Sequence, residues 1–264
     1  MDTPCRAMVS GKGDQYIDLM LSLPWSRPST LWSSRFAMAG RQCLICRAWQ
    51  NRPLCTACLA LMAPNTVRCP RCALPAPTNT EPCTLCNDYP PQFDRAVTAV
   101  DYVSPWKELI ARIKFRDDIA LARILADLLA DRLRAQGTTR RPSLILPVPL
   151  SRERLRERGY NQAALLAGSL AAATGVPMQH EALVRQWDTP RMMALDADAR
   201  RERIRGAFAV PEAARRWVIG RHVAVVDDVL TTGATLDEIS HCLRQAGARD
   251  ISVWVVARTP LFGA

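Results

Sequence analysis

Residues 223–235, VAVVDDVLTTGAT, leave the chain few folds to choose from. The run from His222 to Val226 is apolar without alternation, which suits a central strand buried on both faces of a parallel sheet. Two carboxylates, Asp227 and Asp228, follow where such sheets bind their ligands, past the carboxyl end of the strand. Adjacent acids on an extended chain point to opposite sides. That disfavours a shared-proton dyad and suits hydrogen bonds from vicinal hydroxyls, direct or through a metal. Thr231, Thr232, Gly233, Ala234 and Thr235 then form a loop with no bulky side chain to screen its amides. Thr235 and Glu238 have capping-box spacing, which predicts a helix start here. Leu236, Ile239, Leu243 and Ala246 continue at helical spacing to a stop at Gly247. Bare amides, hydroxyls and a helix N-terminus make an anion site beside a hydroxyl-binding acid pair, and a sugar phosphate satisfies both.

The rest of the chain reads as alternating strands and helices, which implies an α/β fold with a central parallel sheet. Residues 93–103 predict a strand, 105–115 and 119–134 two helices, 144–150 (LILPVPL) a second strand and 162–174 a helix ended by Gly175. Residues 251–256 supply the last strand. After LILPVPL comes SRERLRERGYNQ, with Arg152, Arg154, Arg156 and Arg158 interleaved with Glu153 and Glu157. A charge run of this kind is commonly a solvated helix face. Its place after a strand end also makes it a candidate for bidentate guanidinium contacts to phosphate.

Eight of the ten cysteines fall in four CxxC pairs: Cys43/Cys46, Cys55/Cys58, Cys69/Cys72 and Cys83/Cys86. A CxxC turn presents two thiolates to one tetrahedral Zn²⁺, and two turns close a structural site. Sequential pairing leaves gaps of 8 and 10 residues and gives two small ribbons. Interleaved pairing gives one cross-braced module and stays open. Pro64, Asn65 and Thr66 read as a hinge between halves, which favours the sequential scheme. A disulfide framework is disfavoured because no secretory signal precedes the cluster. Cys5 and Cys242 have no partner in sequence.

At 264 residues the expected partition is a disordered leader over 1–38, a zinc-ribbon module over 39–90 and an α/β domain over 91–264. Met38 is an alternative start. Ribbons this small need metal to hold them. No apolar run reaches the ~18 residues of a membrane span, so a cytoplasmic protein without membrane insertion is expected. The net charge of +10 comes mainly from arginine, with Lys at only three positions. Such basicity suits phosphate ligands and nucleic acid alike. Arg41, Arg47, Arg52, Arg68 and Arg71 decorate the ribbons, and Trp49 can stack on a base, which makes single-stranded DNA an expected partner.

The 223–235 stretch resembles the 5-phosphoribosyl-1-pyrophosphate (PRPP) motif of type I phosphoribosyltransferases. The resemblance implies that Asp227 and Asp228 hold the ribose hydroxyls, residues 231–235 the 5′-phosphate, and Arg158 with its neighbours pyrophosphate, with Mg²⁺ accompanying PRPP. The loop after the first core strand would carry the pyrophosphate contacts. Taken with RERGYNQ and the terminal strand SVWVVART, the chain over roughly 41–260 resembles the ComF family. That family has a cysteine module before a type I phosphoribosyltransferase-like domain, and the resemblance implies a link to DNA uptake and competence and to the uptake machinery. Arg158, Gly159, Tyr160, Asn161 and Gln162 match its RGYNQ signature, and Lys114 with Phe115 its Lys-aromatic pair. Thr189, Arg200, Gly206, Ala207 and Phe208 are in place, whereas Met192 stands for the usual glutamine and Ile204 for asparagine. Thr231 stands where purine-salvage relatives carry a basic carboxylate, and threonine takes no proton at neutral pH. No catalytic residue is assigned, and His180, His222 and His241 receive no role. Two functions are expected from this reading: a PRPP- and Mg²⁺-dependent pentosyl transferase, or a nucleic-acid-binding accessory of DNA uptake whose phosphoribosyltransferase fold serves as a non-catalytic ligand sensor.

Overall fold

A computed structural model of the chain describes residues 40–137, 141–187, 202 and 204–261. The expected leader over 1–38, and the positions Thr189, Met192 and Arg200, lie outside the described residues. From Arg41 onward the chain forms one compact unit.

The cysteine region opens with a short hairpin, β1 (Arg41–Gln42) and β2 (Trp49–Gln50), followed by α1 (Thr56–Met62) and α2 (Thr84–Asp88). Pro64, Asn65 and Thr66 do not make the expected free hinge. Arg132 donates to the carbonyls of Ala63 and Pro64 and, at 3.0 Å, to Asn65 Oδ1, so the connection is pinned to the helix behind it.

The α/β part contains β3 (Arg95–Asp101), α3 (Trp106–Phe115), α4 (Ala120–Ala135), β4 (Leu144–Pro147), α5 (Arg152–Arg158) and α6 (Gln162–Thr174). A small hairpin of β5 (Val184–Arg185) and β6 (Phe208–Ala209) precedes β7 (His222–Leu230), α7 (Ala234–Gln245) and β8 (Asp250–Arg258). The four long strands form one parallel sheet in the order β3-β8-β7-β4. This is the α/β fold with a central parallel sheet that the resemblance implied, preceded by a small cysteine module.

Burial follows the apolar runs. Val223, Val225, Ile251 and Val253 project to one face and pack with Leu236, Ile239 and Leu243 of α7. Ala224, Val226, Trp254 and Val256 project to the other and pack with Ile110, Leu125, Leu129 and Leu166 of α3, α4 and α6. The sheet is therefore covered on both faces, which is why its central strands read as unbroken hydrophobic runs. α6 ends as predicted, with Gly175 in the left-handed region at φ 74°.

Two boundaries differ from expectation. β7 runs to Leu230, so the acids lie on the last turn of the pleat, with Asp227 opposite Val255 of β8, and not beyond the strand. The expected capping box is absent. Gly233, at φ 89°, caps α7, Thr235 sits inside the helix, and Glu238 Oε1 instead accepts from the Gly206 N–H at 2.5 Å. A tertiary partner has taken the glutamate that local spacing assigned to the cap.

Candidate functional site

A cavity of about 360 Å³ opens at the carboxyl ends of β4 and β7. Its walls are residues 148–150 after β4, the acid pair and the loop after β7, with Lys114, Arg154, Arg158 and Arg185 reaching in from other elements. Every sequence-predicted residue of the sugar-phosphate site lines it: Asp227, Asp228, Thr231, Thr232, Gly233, Ala234, Thr235 and Arg158. Four cationic side chains against two carboxylates give the cavity a positive balance.

Asp228 is 6% exposed. Its Oδ1 takes the Lys114 ammonium at 2.8 Å, while Oδ2 is buried with no hydrogen-bond partner among the described residues. A buried carboxylate oxygen left unmatched is costly, and it calls for a donor that the described residues do not supply. Burial works against the charge on Lys114, but Asp228, and Asp227 behind it, outweigh that and raise its pKa. Asp227 folds back so that its Oδ1 accepts the Asp228 N–H at 2.8 Å. Burial first, and the Asp228 charge second, push its pKa up to about 7. The charge of Asp228 thus bears on Asp227, and both acids line one cavity although they alternate along the strand.

The loop supplies the opposite chemistry. Among the described residues, no acceptor is recorded for the backbone N–H groups of Thr232, Gly233 and Thr235, and α7 points its N-terminus into the same space. Gly233 is needed for its left-handed backbone, which an L side chain adopts only with strain. Amides without partners at a helix start form an anion cradle.

The arginine-rich segment is α5, a seven-residue helix with no buried residue, capped by Ser151 Oγ on the Arg154 N–H at 3.3 Å. The phosphate-binding loop expected after a core strand is therefore confined to 148–151, and only Arg154 and Arg158 of the four arginines line the cavity. The rest of the RGYNQ signature acts as scaffolding. Gly159 ends α5 at φ 74°. The Tyr160 hydroxyl donates to the Ile113 carbonyl, next to Lys114. Asn161 caps α6 through its Oδ1 and ties Val148 through its Nδ2, both at 2.9 Å. Gln162 Oε1 accepts from Arg158 at 2.9 Å, and the Arg158 guanidinium lies 5.3 Å from the Phe115 ring centre. Burial lowers the Arg158 pKa, and Asp228 is the largest charge acting against that.

Of the positions that depart from the family pattern, Ile204 is described. It is buried and contributes an apolar wall where asparagine would have offered a hydrogen bond. His222 pairs with Ser252 Oγ at 2.7 Å inside the sheet, and burial lowers its pKa.

The eight cysteines gather as two groups, Cys43, Cys46, Cys55, Cys58 and Cys69, Cys72, Cys83, Cys86, each with its sulfurs within 4.8 Å of one another. The pairing is sequential. Sγ–Sγ separations of 3.7 Å (Cys46 to Cys55), 3.7 Å (Cys72 to Cys83) and 4.0 Å (Cys69 to Cys86) match the ~3.8 Å edge of a tetrahedron with Zn–S bonds near 2.3 Å. Backbone N–H groups of Cys58 and Cys83 donate to Cys55 and Cys69 sulfurs at 3.3 and 3.2 Å, the support that thiolate ligands receive. In the first group, burial pushes the Cys43 thiol up but backbone donors outweigh it and bring it to about 6, while Cys58 is pushed up to about 12, chiefly by its bond to Cys55. Four thiols this close cannot all ionise without a cation, and each group can hold a metal ion.

Sequence reasoning missed Arg258. It is 5% exposed and donates to the carbonyls of Cys72 (3.0 Å), Leu230 (2.9 Å), Thr231 (2.5 Å) and Thr259 (2.9 Å). One guanidinium thereby fastens the start of the loop after β7 to the second cysteine group. The available signal was an arginine ending an otherwise apolar strand.

No protein-family model matches the chain. Among curated proteins, DNA utilization protein YhgH of Escherichia coli strain K12 is 36% identical over 226 residues, covering 82% of this chain and 96% of its own. Competence protein F of Haemophilus influenzae is 34% identical over 223 residues, with 82% and 96% covered. Competence protein ComFC of Bacillus subtilis is 26% identical over 162 residues, with 60% and 62% covered. Superpositions on solved structures are loose: a glutamine PRPP amidotransferase from B. subtilis gives a TM-score of 0.34 at 24% identity over 51% of this chain and 25% of that one. A purine phosphoribosyltransferase from Pyrococcus horikoshii gives 0.31 at 16% identity, over 51% and 70%.

Proposed function

The chain belongs to the ComF family, and from that premise and the chemistry of the cavity we propose that it binds PRPP or a related sugar phosphate in the service of DNA uptake. The observation that carries the reading is Asp228, whose Oδ1 is taken by Lys114 and whose buried Oδ2 lacks a donor, facing a loop of unpartnered amides. A ribose hydroxyl supplies that donor, and its 5′-phosphate satisfies the amides of Thr232, Gly233 and Thr235 at the α7 N-terminus. Arg158 and Arg154 stand across the cavity to receive a pyrophosphate group. The Mg²⁺ that accompanies PRPP fits the donor set, with Asp227 and Asp228 as the residues that would hold it. Bound there, it would neutralise charge on the pyrophosphate. Lys114 already balances part of the acid charge, so a cation held there would be compensated chiefly by the oxyanions of the ligand that brings it.

The test is calorimetry of the zinc-loaded chain with PRPP and Mg²⁺, wild type against Asp228→Asn. Removing a charged acceptor from a buried hydrogen bond is expected to weaken binding at least ~10-fold. Equal affinity in the two proteins would overturn the assignment. Pyrophosphate release with a panel of acceptors would then separate transferase from sensor.

A second reading rests on the first cysteine group. Trp49 is 73% exposed, and Arg41, Arg47 and Arg52 around it are exposed as well. This surface suits stacking and phosphate contacts to a single DNA strand, and relatives of the chain are named for DNA utilization and for competence. Binding there is expected to fall steeply with salt, to be lost on zinc removal, and to survive Asp227→Ala with Asp228→Ala.

A further inference from the structure

A larger cleft, about 610 Å³, lies away from the loop cavity, walled by residues 64–82 of the second cysteine ribbon, by the edge strand β3 and by the end of α4. Four arginines line it: Arg68, Arg71, Arg95 and Arg132. Asp101 already balances one of the four, Arg68, at 2.8 Å. The carboxylate that lines the cleft, Asp94, is engaged from outside it, gripped on both oxygens by Arg244 and by the Ile251 N–H. Arg71 Nε is buried without a hydrogen-bond partner among the described residues. Arg132 spends its described hydrogen bonds on neutral acceptors, and burial first, with nearby Arg68 second, disfavours its charge. Like charges held together in a half-buried cleft need an anion.

We propose that this cleft is a second anion site, which takes a small, multiply charged phosphate compound such as pyrophosphate or a phosphorylated sugar. Its volume is in the ~300–1,000 Å³ range of small-ligand sites. No aromatic side chain is among the described residues that line it, which argues against base stacking and so against a nucleic-acid strand as the occupant. Guanidinium groups recognise phosphate oxygens in bidentate fashion, and Arg71, whose buried Nε has no partner among the described residues, is one of the residues lining the cleft. Thr66, Asn79 and Thr80 add neutral hydrogen-bonding groups on the ribbon side.

The proposal is tested by titrating inorganic pyrophosphate into the full, zinc-loaded chain by calorimetry. The wild type is compared with Arg95→Gln, with Arg71→Gln and with a loop-cavity variant carrying Arg158→Gln and Asp228→Asn. Arg71 lies between two cysteine ligands, so its variant is read only with zinc content unchanged, whereas Arg95 lies outside the cysteine region and keeps the test independent of ribbon folding. The expected result is one binding event weakened at least ~10-fold by Arg95→Gln and by Arg71→Gln and retained in the loop-cavity variant. If the loop cavity binds no pyrophosphate, this event is the only one seen and still depends on Arg95. A single event that the loop-cavity variant abolishes and Arg95→Gln leaves unchanged overturns the proposal. So does an Arg95-dependent affinity for a single-stranded oligonucleotide with none for pyrophosphate.

Discussion

Asp227 and Asp228 are neighbours in sequence, yet only one has a cation in contact. Lys114 sits on Asp228, whereas Asp227 has a backbone N–H, and burial holds its pKa at about 7 against an ordinary value of 3.8. A carboxyl whose folded pKa is raised favours the folded state fully below its unfolded value, and that contribution is lost as pH rises through the folded one. For Asp227 the window runs from about 4 to about 7. Asparagine mimics the protonated acid at every pH, so Asp227→Asn is expected to match wild type near pH 4 and to exceed its stability by about 2 kcal/mol near pH 8. Denaturant melts of the two proteins across that range check the sign, and a constant difference would mean that Asp227 ionises like a solvated acid. The acids themselves were legible in the sequence because a charged pair at the end of an apolar strand has few structural uses. Their unequal circumstances were not, because Lys114 arrives from a helix more than a hundred residues earlier.

At the scale of elements, the RGYNQ signature works mostly as joinery. Asn161 begins α6 and holds the Val148 carbonyl, so one side chain sets both the helix start and the position of the segment after β4. Asn161→Ala removes an N-cap and a tertiary hydrogen bond. It is expected to cost about 1–2 kcal/mol and lower the melting temperature by roughly 2–8 °C, read by calorimetry or circular dichroism. Apolar runs, Gly175 and the Ala/Leu-rich 162–174 segment announced their elements because local periodicity and a left-handed cap decide them. Where a long-range partner intervenes, local spacing misleads. Glu238 belongs to Gly206 and not to a capping box, and the Pro64 connection belongs to Arg132 and not to a hinge. The arginine run shows both outcomes, since its helical character and solvated face are local while the selection of Arg154 and Arg158 for the cavity depends on how α5 docks.

For the whole molecule, the question is whether the cysteine ribbons are an appendage or part of the folding unit. Bonds cross between them and the α/β part at several points: the Trp106 indole to the Met62 carbonyl at 2.6 Å, Arg68 to Asp101, the Ala96 N–H to the Pro70 carbonyl at 3.2 Å, and Arg258 to Cys72. Arg258 matters most, because it is buried and also holds the loop carbonyls of Leu230 and Thr231. Arg258→Met would leave those acceptors unmatched and is expected to cost about 3 kcal/mol, with weaker sugar-phosphate binding; lysine, a point charge without the guanidinium fork, should not restore it. Metal removal tests the same coupling from the other side. Two zinc ions per chain are expected, one for each cysteine group, and stripping them leaves ribbons too small to hold a core of their own. Because the second ribbon supports Arg258 and through it the loop, chelation should lower the main melting transition by several degrees and reduce PRPP affinity together, at least ~2 kcal/mol in stability. A chelated protein that melts at the unchanged temperature and binds with unchanged affinity would show the ribbons to be energetically independent, and Arg258 would then act only within the strand that carries it.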